Sequence, residues 1–187
     1  MLNEIQTPTK PKYILDDNNS EISRCVPDSC HLIVLTLSRR SANRLKNQYH
    51  FFKTVFDYPD IIPPVVNVSR LRKVIDVATG TGAWALDFVS RPDVRDRGVQ
   101  VFGCDISTAK FPRADTPDAE KITFFQHDVT KPFPEDMLGT FDLVNMTYLG
   151  FALTAQGWKV ALKNLRRLLS EQLCQRVPCF ETYNRIR

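Results

Sequence analysis

With 187 residues, 43% of them hydrophobic and 25% charged, the chain has room for one domain with a real core and little more. Its formal charge of +4 comes from scattered groups such as Arg39-Arg40, Arg70 to Lys73, and Lys163 with Arg166 and Arg167. That pattern lacks the dense basic, aromatic-studded face of a nucleic-acid binder. Five cysteines are too few for a disulfide-built scaffold, and Cys25/Cys30 with Cys174/Cys179 have longer loops than a typical zinc knuckle and lack its turn glycines. Reduced thiols in a cytoplasmic protein, with no metal, are the expectation.

Residues 1–42 read as an N-terminal extension and 43–187 as the folded domain. The first twenty residues are polar and Pro-containing, ending in Asp16-Asp-Asn-Asn-Ser20, a flexible lead-in with neither the basic nor the apolar region of a signal peptide. His31-Leu-Ile-Val-Leu-Thr-Leu37 is apolar but far too short to span a bilayer, so no membrane association is expected. Over residues 41–57, Leu45, Tyr49, Phe52 and Val55 recur at three- and four-residue spacing and predict a helix. Tyr58-Pro-Asp-Ile-Ile-Pro-Pro64 ends it, because prolines lack the donors a helix requires.

From residue 73 strands and helices alternate. Lys73–Ala78 is a short apolar run of the kind found in buried parallel strands, followed by a glycine turn and a helix over Gly82–Ser90. Val99–Asp105, Lys121–Asp128 and Phe141–Met146 read as three more strands. A last helix carries an apolar stripe of Trp158, Ala161, Leu162, Leu165, Leu168 and Leu169. This order predicts an α/β fold with a parallel, Rossmann-like sheet.

Chemistry gathers at the strand ends. Asp76-Val-Ala-Thr-Gly80-Thr-Gly82 places glycines where a backbone must approach a ligand closely, ahead of a helix N-terminus. Gly80-x-Gly82-x-x-Ala85 also fits the relaxed dinucleotide fingerprint. Asp76 argues against that ligand, since a carboxylate repels a pyrophosphate but suits the α-amino group and sulfonium of S-adenosylmethionine (SAM). A short-chain dehydrogenase would need a Tyr followed four residues on by Lys, downstream of the cofactor turn; Tyr148 is followed there by Ala152, and Tyr49 with Lys53 lies upstream of the turn. Asp105, about twenty-five residues past the turn, stands where an acid takes ribose hydroxyls in such folds. Asp128 is placed to accept an adenine amino group, with Ile106 and Val129 sandwiching the ring. Asn145, ending the fourth strand, lies beside the methionine end. His127 is expected to pack or hydrogen-bond at its strand end, and no residue stands out as a catalytic base.

These residues resemble the class I SAM-dependent methyltransferases, and more narrowly the fungal group of LaeA-like regulators and secondary-metabolite tailoring methyltransferases. Val74 to Phe88 carries the most specific match, followed in order by Gly103-Cys-Asp-Ile-Ser107, His127-Asp-Val129 and Phe141-Asp-Leu-Val144. The resemblance covers about residues 42 to 169. It implies SAM binding at Asp76, Ala78, Gly80, Gly82, Asp105, Ile106, Asp128 and Val129, and transfer of a methyl group to a small-molecule acceptor. Ala78 replaces the usual first glycine, which is tolerated if its φ is negative.

Two departures stand out. Tyr13–Arg24 and Arg44–Gln48 match segments that are nearly contiguous in the family. The stretch between them, residues 25–42, reads as an insertion, with a retained intron as one source. After Leu169 the family has a Pro-Gly-Gly turn and three more strands, whereas here only Val177–Tyr183 could form a weak one. The sheet is therefore expected to be C-terminally truncated, exposing the fourth strand's edge to self-association or a protein partner. On that ground a catalytically weak regulatory module is the alternative to an enzyme.

Overall fold

The computed structural model describes residues 43–51, 53–54, 61–147, 149 and 152–170. The lead-in, the apolar run at 31–37, the expected insertion, the start of the proline-rich break, the weak strand at 177–183 and four of the five cysteines lie outside the described residues.

Helical residues 43–51 and 53–54 form α1. Strand β1 (Lys73–Val77) leads through the glycine turn into α2 (Ala83–Ser90). Helix α2 stops where Pro92 follows, because the residue before a proline is driven out of helical geometry; Arg91 is extended at φ −60°, ψ 138°. Pro92 then opens α3 (Pro92–Arg95), a position that needs no N–H. Strands β2 (Gln100–Asp105), β3 (Ile122–Gln126) and β4 (Leu143–Met146) follow, and then α4 (Ala155–Leu168). The Thr154 hydroxyl caps α4 by accepting the Gly157 N–H at 3.1 Å. None of the described helices is long and apolar enough to cross a membrane.

The four strands are all parallel, in the order β3-β2-β1-β4. The chain moves outward from β1 to β2 and β3, then returns to the other side of β1. Open parallel sheets bind ligands outside the carboxyl ends of the strands at such a reversal, here between β1 and β4.

Side chains alternate across β1. Val74 joins a core with Trp84, Ala85, Phe88, Val101 and Ile122 on the α2 side. Ile75 and Val77 join Cys104, Phe141, Ala161, Leu165 and Leu168 under α4. Full burial of a side chain such as Phe88 contributes about 2 kcal/mol. By the same alternation Asp76 lies on the α2 face with Val74, buried beside the turn.

Several boundaries differ from the sequence reading: β1 ends at Val77, β2 begins at Gln100 and β3 runs only from Ile122 to Gln126. Gly82 caps α2 in left-handed geometry rather than starting it. Strand β4 begins at Leu143, while Phe141 forms a parallel bridge with Leu169. The Ser170 N–H donates to the Phe141 carbonyl at 2.9 Å, and the Phe141 N–H to Leu168 at 3.0 Å. The chain leaving α4 thus lies beside the entry to β4. Beyond that bridge, β4 pairs only with β1 among the described residues.

Candidate functional site

The turn after β1 is built on alternate left-handed residues: Ala78 at φ 58°, Gly80 at φ 54° and Gly82 at φ 69°. The condition under which alanine replaces glycine here without cost, a negative φ, is not met. Leaving β1, the chain must bend so that the Thr79 N–H reaches the Cys104 carbonyl of β2, 3.0 Å away, and left-handed geometry at residue 78 accomplishes this. An L-residue there carries about 1–2 kcal/mol of strain.

Glycine is required at residue 82 for a second reason. A Cβ there would lie 2.9 Å from Pro112 Cγ and 3.0 Å from Phe124 Cζ. Phe124 of β3 also rests on Gly103 of β2, where a Cβ would come within 2.7 Å of its ring. One aromatic side chain thus backs both the turn and the neighbouring strand.

The carboxylates organise this turn from within. Asp76 is 2% exposed, and both of its oxygens are engaged. Oδ2 accepts the Thr79 hydroxyl at 2.5 Å, and Oδ1 accepts the Asn145 amide of β4 at 2.6 Å. Burial pushes its pKa up to about 6 despite these two bonds, and the nearby charge of Asp105 adds to the rise. Asp105 Oδ2 accepts the Gly80 N–H at 2.9 Å, while Oδ1 accepts the Ser107 N–H at 3.1 Å. The Gly80 amide that a phosphate would seek is therefore already given to a carboxylate. Two acids flank the turn, an arrangement that attracts a cation and repels a phosphate.

The end of β3 is fastened to the end of β2. The His127 N–H donates to the Asp105 carbonyl at 2.8 Å, and the Gln126 amide donates to the Ile106 carbonyl at 2.8 Å. Ile106 itself is half-buried. Asp128 Oδ1 accepts both the N–H and the hydroxyl of Thr130, at 2.8 and 2.7 Å, closing a local turn. Val129 is 5% exposed and belongs to the core under α4. Its side chain is therefore not the half of a ring sandwich that the sequence suggested; its neighbours are core side chains. Buried Asn164 of α4 holds the segment by donating to the Val129 and Lys131 carbonyls, each at 2.9 Å. His127 packs on Phe133, ring centroids 4.0 Å apart, with Nε2 3.3 Å from the Lys131 carbonyl. Burial lowers its pKa, against the Lys131 carbonyl and the Asp128 charge, which raise it.

The structure thus joins Asp76 to Asn145, and Gly80 to Asp105, by direct hydrogen bonds, while Asp128 and Val129 are tied to their own loop and to α4. Thr79 and Phe124 are the residues that sequence reasoning missed. Thr79 had a signal, a hydroxyl three residues after a strand-end acid. Glycine inside a strand at residue 103 was the signal for Phe124, since it marks a close approach.

A parallel α/β sheet with a glycine turn after its first strand and an acid at the end of its second is the architecture of a Rossmann-like, ligand-binding domain. The chain belongs to the methyltransferase domain family, whose profile matches residues 74–172. It is similar to the methyltransferase grgD of Penicillium sp, 31% identical over 131 residues that make up 67% of this chain and 44% of that protein. It is also similar to the methyltransferase psoC of Aspergillus fumigatus, 30% identical over 109 residues, 58% of this chain and 38% of that one. A solved glycopeptide N-methyltransferase, MtfA, complexed with sinefungin, aligns over 52% of this chain and 39% of its own at 23% identity and a TM-score of 0.42. The chain spans less than half the length of the curated relatives it matches.

Proposed function

We propose that the chain binds S-adenosylmethionine at the β1 turn and takes part in methyl transfer to a small molecule of fungal secondary metabolism. The observation that carries this reading is the Asp105 carboxylate on the Gly80 N–H, with the Asp76 carboxylate buried beneath the same turn. A dinucleotide needs that amide for its pyrophosphate, whereas SAM brings a cationic amino group and a sulfonium to the site. Asp76, Ala78, Gly80, Gly82 and Asn145 would hold the methionine end. Asp105 would accept ribose hydroxyls through lone pairs that remain on its oxygens. Ile106 would support the adenine, Asp128 would take its amino group, and Val129 would contribute its backbone rather than its side chain.

The donor supplies an electrophilic methyl group. The protein's share of the work is alignment, because holding two reactants in line removes much of the barrier. His127 is packed on Phe133 and turned to a carbonyl, an environment that does not suit a general base for the acceptor. The same residues support a second reading, a weakly active module working through protein partners or self-association. The observation favouring it is the β4 edge, which past Phe141 has no second strand among the described residues.

Calorimetric titration with SAM, S-adenosylhomocysteine and NAD tests the donor assignment. Binding of the first two and not of NAD is expected, and a well-folded protein that binds neither SAM nor its product would overturn it. Turnover with radiolabelled SAM and a panel of small-molecule acceptors separates the enzyme from the module, whose signature would be donor binding, no label transfer and an oligomer in solution.

A further inference from the structure

We infer that Asp87 is a positioning residue that latches α1 across the donor turn and thereby sets how long the donor stays bound; this rests on the donor site proposed above. Asp87 lies one turn into α2, on the helix that the glycine turn opens into. Its Oδ2 atom accepts two donors from α1, the Tyr49 hydroxyl at 2.6 Å and the Lys53 ammonium at 2.6 Å. Tyr49 is 6% exposed and packs into the α2-side core, so its hydroxyl is held in place from behind. Lys53 and Asp87 keep about a third of their side-chain surface in water, at 35% and 30%.

Leu45, Tyr49 and Lys53 recur every four residues and so share one face of α1. At the other end of that face, Leu45 Cδ1 reaches to 3.4 Å from where a Cβ on Gly80 would stand. A single helix face therefore places Leu45 over the donor turn, in the space a side chain at Gly80 would enter, and is fastened one helical turn further along α2 by Tyr49 and Lys53. Releasing the fastening frees Leu45 from the turn. A carboxylate serving two donors at one oxygen makes the latch a shared point: losing Asp87 undoes both contacts, whereas losing either donor undoes one.

The test is stopped-flow release of SAM from wild type, Asp87→Ala, Tyr49→Phe and Lys53→Met, with hydrogen exchange of residues 43–54 in the ligand-free proteins. Asp87→Ala should speed release at least fivefold, with the single-donor variants between it and wild type, and exchange over 43–54 should rise in the same order. Added salt should speed release more from wild type than from Lys53→Met, because the ion pair, about a third exposed, is screened, a difference that general destabilisation would not reproduce. Asp87→Glu should recover part of the slow release. Wild type that binds SAM, with release unchanged in all three folded variants, would overturn the latch alone. Should Asp87→Ala fail to fold, Tyr49→Phe and Lys53→Met decide by the same measure. Wild type that binds no SAM removes the donor site and the latch's role in it together.

Discussion

Replacing Asp76 by Asn isolates the energetic consequence of burying an acid under the turn. A pKa of about 6 in the folded chain, against an ordinary value of 3.8, means that ionised Asp76 lowers stability by about 3 kcal/mol at neutral pH. The sign follows from proton counts. Between these two values the folded chain holds a proton that the unfolded chain has released, so the group costs no stability below pH 3.8, and the cost grows as pH rises from there and is complete above about 6. From pH 5 to pH 7.5 wild type should lose about 1.4 kcal/mol through this group. Asp76→Asn has no such dependence: its amide oxygen accepts the Thr79 hydroxyl, and Asn145 can rotate to present its own oxygen. Urea unfolding followed by the fluorescence of Trp84 and Trp158 at the two pH values measures both proteins. The difference between them should shift by about 1.4 kcal/mol in favour of the variant at the higher pH. Parallel pH dependences, or a shift favouring wild type, would refute the reasoning. SAM affinity should fall at least tenfold in the same variant, so that the carboxylate weakens the fold where it serves the ligand.

Ala78→Gly should raise stability by about 0.5–1 kcal/mol and the melting temperature by about 2–4 °C. Relief of the left-handed alanine outweighs the looser unfolded chain, and a lower melting temperature would contradict the positive φ. Gly103→Ala drives a methyl group into the Phe124 ring and should destabilise by about 1–3 kcal/mol in chemical unfolding, with partial recovery when Phe124→Leu is added. Asp105→Ala frees the Gly80 N–H and removes the acid assigned to the ribose, so calorimetry should show at least a tenfold loss of SAM affinity; unchanged affinity would remove Asp105 from the site.

Periodicity made the sheet legible because each strand of this fold is a short apolar run between turn residues, and Val74, Ile75 and Val77 could hardly pack otherwise. The glycine turn, Asp76 and Asp105 were legible for the same local reason: their spacing from the strands fixes where they fall. What escaped depends on contacts between distant segments. The φ of Ala78 follows from the Cys104 carbonyl that Thr79 must reach, and no property of alanine announces it. Val129 is buried under α4, where Asn164, 35 residues on, holds its carbonyl. Asp87 falls inside the matching stretch Val74 to Phe88 with no role of its own in the sequence, and only the placement of α1 gives it two partners.

The bond from Asn145 to Asp76 joins residues 69 apart. A chain emerging from the ribosome offers Asp76, the glycine turn, β2 and β3 before residue 145 exists, so for most of its synthesis that carboxylate has Thr79 without the amide. An acid lacking a partner resists leaving water, and the flank of β1 stays wet until β4 zips onto it. The segment most local in sequence is thus completed by the last of the described strands to arrive, and a nascent chain stalled before β4 would carry the whole glycine motif without a finished site.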